Sequence, residues 1–179
     1  MQIKTRIGLL FLLAFLSCTV FKLHAQKSSK DCYLFKINRS RDANYITYDI
    51  NFDESGIPNQ TQPINIYWVK KNDLTEPLTW IQNRYAYGIK VLDNSKKPNC
   101  KNDSLCFQFV SYNKKTFILK KDKNSFYKVF TKVGTNDVEV TGVFVQIDGG
   151  SFWFPVISRV DLLGVDLNSG ELIVESIRN

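Results

Sequence analysis

The sequence predicts an all-β fold: a mainly antiparallel meander of about nine or ten strands, curled into a barrel or a two-layer sandwich, with one short helix. Three observations predict it. Apolar and polar residues alternate at the two-residue period of half-buried strands, as Ile64, Ile66 and Trp68 do with Asn65 and Tyr67. Turn-forming clusters separate the strand signals, and connections this short join antiparallel neighbours without crossover helices. Only one stretch, Pro63 to Val91, changes from the strand period to a helical one and back.

In chain order, Lys4 and Arg6 precede an apolar run from Ile7 to Phe21. The run is too short for a membrane span and suits the core of a signal peptide. Residues 1–25 therefore read as a leader cleaved after Ala25, with Leu23 larger than the small residue usual at that position. The rival is a lipoprotein signal with Cys18 as the lipidated residue. No later segment is apolar enough to span a bilayer, so residues 26–179 read as a single exported β-rich domain, periplasmic or extracellular.

Strand signals then follow at Tyr33 to Ile37 and Tyr45 to Phe52, before the turn-rich loop Asp53 to Pro58. The strand from Ile64 to Trp68 leads into a helix after Pro77, capped by Thr79 or Asp73. Within it Trp80, Arg84 and Tyr87 fall at three- to four-residue spacing, and Gly88 stops it. Trp68 and Trp80 are expected to pin this helix to the aromatic interior. Further strands are predicted from Ile89 to Leu92, Cys106 to Tyr112, Thr116 to Leu119, Phe126 to Lys132, Val138 to Ile147, Ser151 to Val160 and Glu171 to Ile177. Their connections are Asn113-Lys-Lys, Asp122-Lys-Asn, Gly134-Thr-Asn, Asp148-Gly-Gly and Asn168-Ser-Gly. In the strand after Gly150, Trp153, Pro155, Ile157 and Arg159 form one face and Phe152, Phe154, Val156 and Val160 the other. Both faces are largely apolar, so this strand is either covered on both sides or lines a ligand cavity.

Removal of the leader takes three basic residues and His24, which leaves 21 basic against 17 acidic residues, a net charge of +4 instead of +7. Charge is uneven: from Asp137 to Asn179 there are two basic residues and seven acidic ones. Lys114 to Lys132 is lysine-rich with interleaved aromatics. We read it as the soluble outer face of hairpins rather than a nucleic-acid surface, with anionic polysaccharide or a membrane surface as alternative contacts. Three cysteines remain, and an oxidising compartment favours a disulfide between Cys100 and Cys106 across a short polar loop. Cys32 is then a small apolar residue at the head of the first strand.

Tyr67-Trp68, Glu76-Pro-Leu-Thr79 and Ala86-Tyr-Gly-Ile-Lys-Val91 together resemble a secreted bacterial family designated domain of unknown function 4833. The likeness is dense over about thirty residues. It implies a fold unit and no reaction, and transfers no catalytic residue.

Without a histidine in the mature chain, Ser-His-Asp hydrolysis, Cys-His proteolysis and His-ligated zinc or iron sites are excluded. No phosphate-binding or dinucleotide glycine motif is present, and no cofactor or metal is expected. Asp166 to Glu171 resembles a calcium loop superficially and reads as a hairpin turn. The candidate ligand-binding residues are Trp68, Trp80, Arg84, Tyr87, Trp153 and Arg159, aromatics and cations able to stack on a ligand or clamp an anion. The first expectation for function is a non-catalytic binding domain for a small ligand, glycan or envelope protein. A glycan-acting enzyme using paired carboxylates among Asp49, Asp53, Glu54, Asp148 and Asp161 is the second. A structural component of the cell envelope is the third.

Overall fold

The computed structural model describes residues 32–93, 100, 104–151 and 155–178. The leader with its Ala25 and Cys18 alternatives, and Trp153, lie outside the described residues. Eleven strands follow one another: β1 (Tyr33–Arg39), β2 (Asp42–Ile50), β3 (Ile64–Val69), β4 (Thr75–Pro77), β5 (Ile89–Val91), β6 (Leu105–Phe109), β7 (Tyr112–Lys121), β8 (Tyr127–Val133), β9 (Asn136–Gly150), β10 (Pro155–Asp166) and β11 (Leu172–Arg178). Between β4 and β5 lies the helix, α1 (Trp80–Gln82), which widens directly into a π turn (Asn83–Tyr87).

The strands form one curled sheet, a half-barrel, in the order β4-β3-β2-β1-β9-β8-β7-β6-β5, with β10 and β11 attached to β9. Among the described residues all strand pairings are antiparallel except one: β1 runs parallel to β9, with Lys36 beside Gly142 and Arg39 beside Val145. The expected meander is therefore interrupted, because sequence neighbours β4 and β5 end on opposite edges and β1 is claimed by a strand distant in the chain.

β9 organises this topology. Glu139 pairs with both Phe130 of β8 and Val165 of β10, so those two strands flank it on opposite edges. Val143 pairs with both Ile37 of β1 and Leu162 of β10. Hence β8 and β1 share one edge of β9 end to end, and two four-stranded wings diverge from it. Bulges bend the β9–β10 pair along its length, at the register shifts beside Ile157 and Gly164. A Cβ on Gly164 would stand 2.3 Å from Val138 Cγ1 and 2.5 Å from the Glu139 carbonyl oxygen, so the bulge there requires glycine.

The core fills the space between the wings. Phe35 of β1 stacks on Tyr48 of β2 at 4.4 Å, and both meet Phe109 of β6 edge-on at 6.1 and 5.7 Å. Phe107 and Phe117 extend the cluster along β6 and β7. Such pairs contribute about 0.5–1.5 kcal/mol each beyond area burial, and two of them, Phe35–Phe109 and Tyr48–Phe109, join the two wings. The Cys100–Cys106 disulfide is formed, with Cys106 fully buried in β6. Cys32 packs half-buried against the core at the head of β1.

Two turns differ from expectation. The β6–β7 hairpin reverses at Val110-Ser111, and Asn113-Lys-Lys belongs to β7. Tertiary bonds decide this: Val110 N–H donates to the Gly88 carbonyl at 2.9 Å and Ser111 Oγ to the Ala86 carbonyl at 2.6 Å. Asp148-Gly-Gly lies within β9, and Gly150 still pairs with Pro155. Asp166 does hold a hairpin turn, its Oδ1 accepting from the Asn168 and Ser169 N–H groups.

Candidate functional site

The helix reaches the sheet through its cap. Thr79 is the N-cap: its Oγ1 accepts from the Gln82 N–H at 3.3 Å, and Gln82 Oε1 accepts from the Thr79 N–H at 3.0 Å. The same Gln82 Oε1 accepts from Trp68 Nε1 at 3.3 Å, which ties the first turn to β3. Asp73, the other candidate cap, sits instead at positive φ in the β3–β4 turn. At the far end, Tyr87 meets Trp68 edge-on at 5.7 Å, and its carbonyl accepts from the buried Tyr48 hydroxyl at 2.6 Å. Burial of that phenol pushes its pKa well above the ordinary value.

Trp80 does not pin the helix, contrary to expectation: it is 69% exposed. As the first residue after the cap, it points outward with Arg84 one turn on. Both pack on Tyr85, the indole at 6.4 Å and the guanidinium at 5.6 Å, in a surface cluster. The extra residue that a π turn takes up rotates Tyr87 away from these two and towards Trp68. The inward role expected of Trp80 thus falls to Gln82 and Tyr87.

Beneath the π turn, between β1, β9, β10 and β11 on one side and β6 and β7 on the other, lies a cavity of about 810 Å³. Its floor is aliphatic and aromatic, with Val143, Val145 and Ile147 of β9, Val160 and Leu162 of β10 and Phe117 of β7. Tyr87 and Arg159 line it; Trp68 stands behind Tyr87, and Trp80 and Arg84 lie outside it. The strand from Pro155 is paired in the sheet with β9 and β11, and several of its residues line the cavity, while Val156 is exposed.

The charged residues lining the cavity are Arg39, Lys114, Lys115, Arg159 and Arg178, and no carboxylate lines it among the described residues. Arg39, with a side chain only 9% exposed, pairs with Asp42, lies over the Trp68 ring at 4.7 Å and donates to the Tyr87 hydroxyl at 3.2 Å. Arg159 Nε donates to Asp161 Oδ2 at 3.0 Å, and Ser176 Oγ donates to the other oxygen of that buried carboxylate at 2.7 Å. Lys115 bridges β7 to Glu175 of β11 at 2.7 Å and so ties the wing across the cavity. Of these cations, Arg39 and Arg178 escape sequence reasoning. Their signal is faint: Arg159 and Arg178 are the two basic residues after Asn136, and they are directly opposed across β10 and β11 at the rim of the hollow.

Four of the five carboxylates considered for catalysis are engaged by separate neighbours. Asp49 accepts from the Tyr67 hydroxyl, Asp53 holds its loop by accepting from the Ser55 and Ile57 N–H groups, and Asp161 serves Arg159 and Ser176. Asp148 accepts from Gln146, and hydrogen bonds from Ser158 and Gln146 hold its pKa below the ordinary value. Among the described residues no cluster of three or more His, Cys, Asp or Glu side chains forms a metal site. No described helix is long and apolar enough to cross a membrane.

Compared with known proteins, the chain matches no curated protein and no solved structure. A family profile does match, over residues 35–176, which takes in the strands from within β1 to within β11 and the cavity lining except Ile177 and Arg178. By that match the chain belongs to the family described as domain of unknown function DUF4833.

Proposed function

We propose that this protein is an exported, non-catalytic binding domain that holds a small, largely apolar ligand inside its half-barrel. The observation that carries this reading is the aliphatic-floored cavity of about 810 Å³ beneath the π turn. That volume lies in the range of about 300–1,000 Å³ common for small-molecule sites, which are mostly apolar with a few convergent polar groups. Most of the floor is already buried, and the partly exposed Ile157, Val160 and Tyr87 are the apolar surface a ligand would remove from water, at about 25 cal/mol per Å² buried. The Cys100–Cys106 disulfide supports an oxidising compartment and so an exported location.

The test is titration of the protein with an apolar fluorophore such as 1-N-phenylnaphthylamine, with Val160→Trp as the blocking variant. Val160 lines the cavity without belonging to the tightly packed wings, so a larger side chain there occupies the ligand's volume. Wild type is expected to bind one equivalent with a blue shift, and Val160→Trp to lose binding about tenfold or more with an unchanged melting profile. Equal binding by wild type and a folded Val160→Trp would place the probe elsewhere and end this reading.

A further inference from the structure

We infer that the exposed side of the π turn is a docking surface for an anionic lipid bilayer, with Trp80, Ile81 and Tyr85 set among the headgroups. This goes beyond the preceding reading, because it stands on side chains that face solvent and not on the cavity floor. The first observation is exposure. Tyr85 is 62% and Ile81 40% exposed, beside Trp80 at 69%. Ile81 and Tyr85 also line the cavity, so the hollow opens to solvent beside them. Val110 at the β6–β7 reversal is exposed as well, and its N–H bond to the Gly88 carbonyl seats that reversal against the end of the π turn. Large apolar side chains exposed side by side mark a contact site.

The second observation is charge. The chain from Pro77 to Leu92 carries Arg84 and Lys90 and no acid, and the turn from Val110 to Lys115 carries Lys114 and Lys115 and no acid. Arg84 and Lys114 have no ion-pair partner among the described residues. Lys115 is held by Glu175, and the nearest acid before the helix, Glu76, is held by Lys70 at 2.8 Å. Apolar rings flanked by unpaired cations match an anionic bilayer, where Trp and Tyr settle at headgroup level and each nearby Lys or Arg adds attraction. The third observation is shape. The Trp80 and Tyr85 rings meet at 62°, so they form a wedge and not a flat platform for stacking a sugar ring. A second copy of the chain is disfavoured by the same charges, since an isologous contact brings this patch against itself, cation against cation.

The experiment mixes the protein, purified in the form its cells produce, with phosphatidylcholine vesicles that contain about a quarter phosphatidylglycerol, at low ionic strength. In flotation, wild type is expected to bind about tenfold or more tightly than the double variant Trp80→Ala/Tyr85→Ala, whose melting profile should be unchanged because both positions are exposed. Arg84→Gln should weaken binding about fivefold, the share of one cation at an anionic surface, and added salt should weaken wild type in the same direction. Vesicles with brominated acyl chains should quench tryptophan fluorescence in wild type, and the quenching should fall in Trp80→Phe. That readout places the contact at the patch whether or not the double variant folds. No binding to the anionic vesicles, equal binding by wild type and a folded double variant, or quenching undiminished in Trp80→Phe would overturn the docking surface. A dimer in sedimentation velocity that dissolves in the double variant, with no vesicle binding, would overturn it in favour of a contact between copies. All of these outcomes leave the fluorophore titration of wild type untouched, so the docking surface and the cavity fail separately.

Discussion

Gly88 shows how much a single missing carbon matters. Its backbone is extended, at φ −65 and ψ 167, so glycine is not there for a left-handed turn. A Cβ at this position would lie 1.8 Å from the Asn83 carbonyl oxygen, inside any contact distance. The π turn closes against bare backbone, and Ser111 and Val110 then bond the carbonyls on either side. Asp49 is the opposite case, a charge held at some cost. Burial raises its pKa above the ordinary 3.8, the bond from Tyr67 only partly offsets this, and its Oδ1 is buried without a partner. The folded state thus holds the Asp49 proton more tightly than the unfolded chain does. The stability this contributes is full below 3.8 and is lost as pH rises through the raised folded value. Asp49→Asn keeps an acceptor for Tyr67 and removes the titration. Melting curves from about pH 4 to about pH 7 should show wild type losing stability relative to Asp49→Asn as pH rises. Parallel pH profiles for the two proteins would contradict the burial argument.

Among the elements, the helix is the most instructive. Its cap is legible in the sequence because Thr79 and Gln82 are three residues apart and satisfy each other locally. Thr79→Ala should cost about 1 kcal/mol, seen as a lower midpoint in denaturant melts with an unchanged slope. The widening to a π turn is not legible, because it answers to distant groups, the Tyr48 hydroxyl and the β6–β7 turn. For that reason helical spacing, which puts Trp80, Arg84 and Tyr87 on one face, does not separate Tyr87, which lines the cavity, from Trp80, which is exposed. The strands divide the same way. Alternation reveals β2, β3, β8 and β9 within a few residues, whereas the β6–β7 reversal shifts to Val110-Ser111 because bonds to the helix end outweigh the local turn chemistry of Asn113-Lys-Lys.

At the scale of the whole molecule, the all-β class and the Cys100–Cys106 pair follow from pattern and spacing, while for the strand from Pro155 pattern leaves cover on both faces and a cavity as alternatives. The parallel β1–β9 pairing does not follow from them, since nothing in either strand announces a partner more than a hundred residues away. The five cations around the hollow are likewise gathered by topology from β1, β7, β10 and β11. Sequence order scatters them. The shared edge of β9 also predicts how the molecule fails: a fragment ending at Thr135 keeps both sets of four strands and loses the strand that joins them. It should show no cooperative thermal transition by circular dichroism, and a sharp transition would mean that the wings dock without β9.

That junction also sets a timetable. A chain that emerges amino end first presents β1 to its surroundings long before Gly142 to Val145 exist to receive it. Until then the inner faces of Phe35 and Tyr48 have no lasting cover and β1 offers a bare edge, an invitation to pair with other chains. Such a chain benefits from an escort that shields its first strands until the last quarter has arrived, and its maturation is paced by that delay.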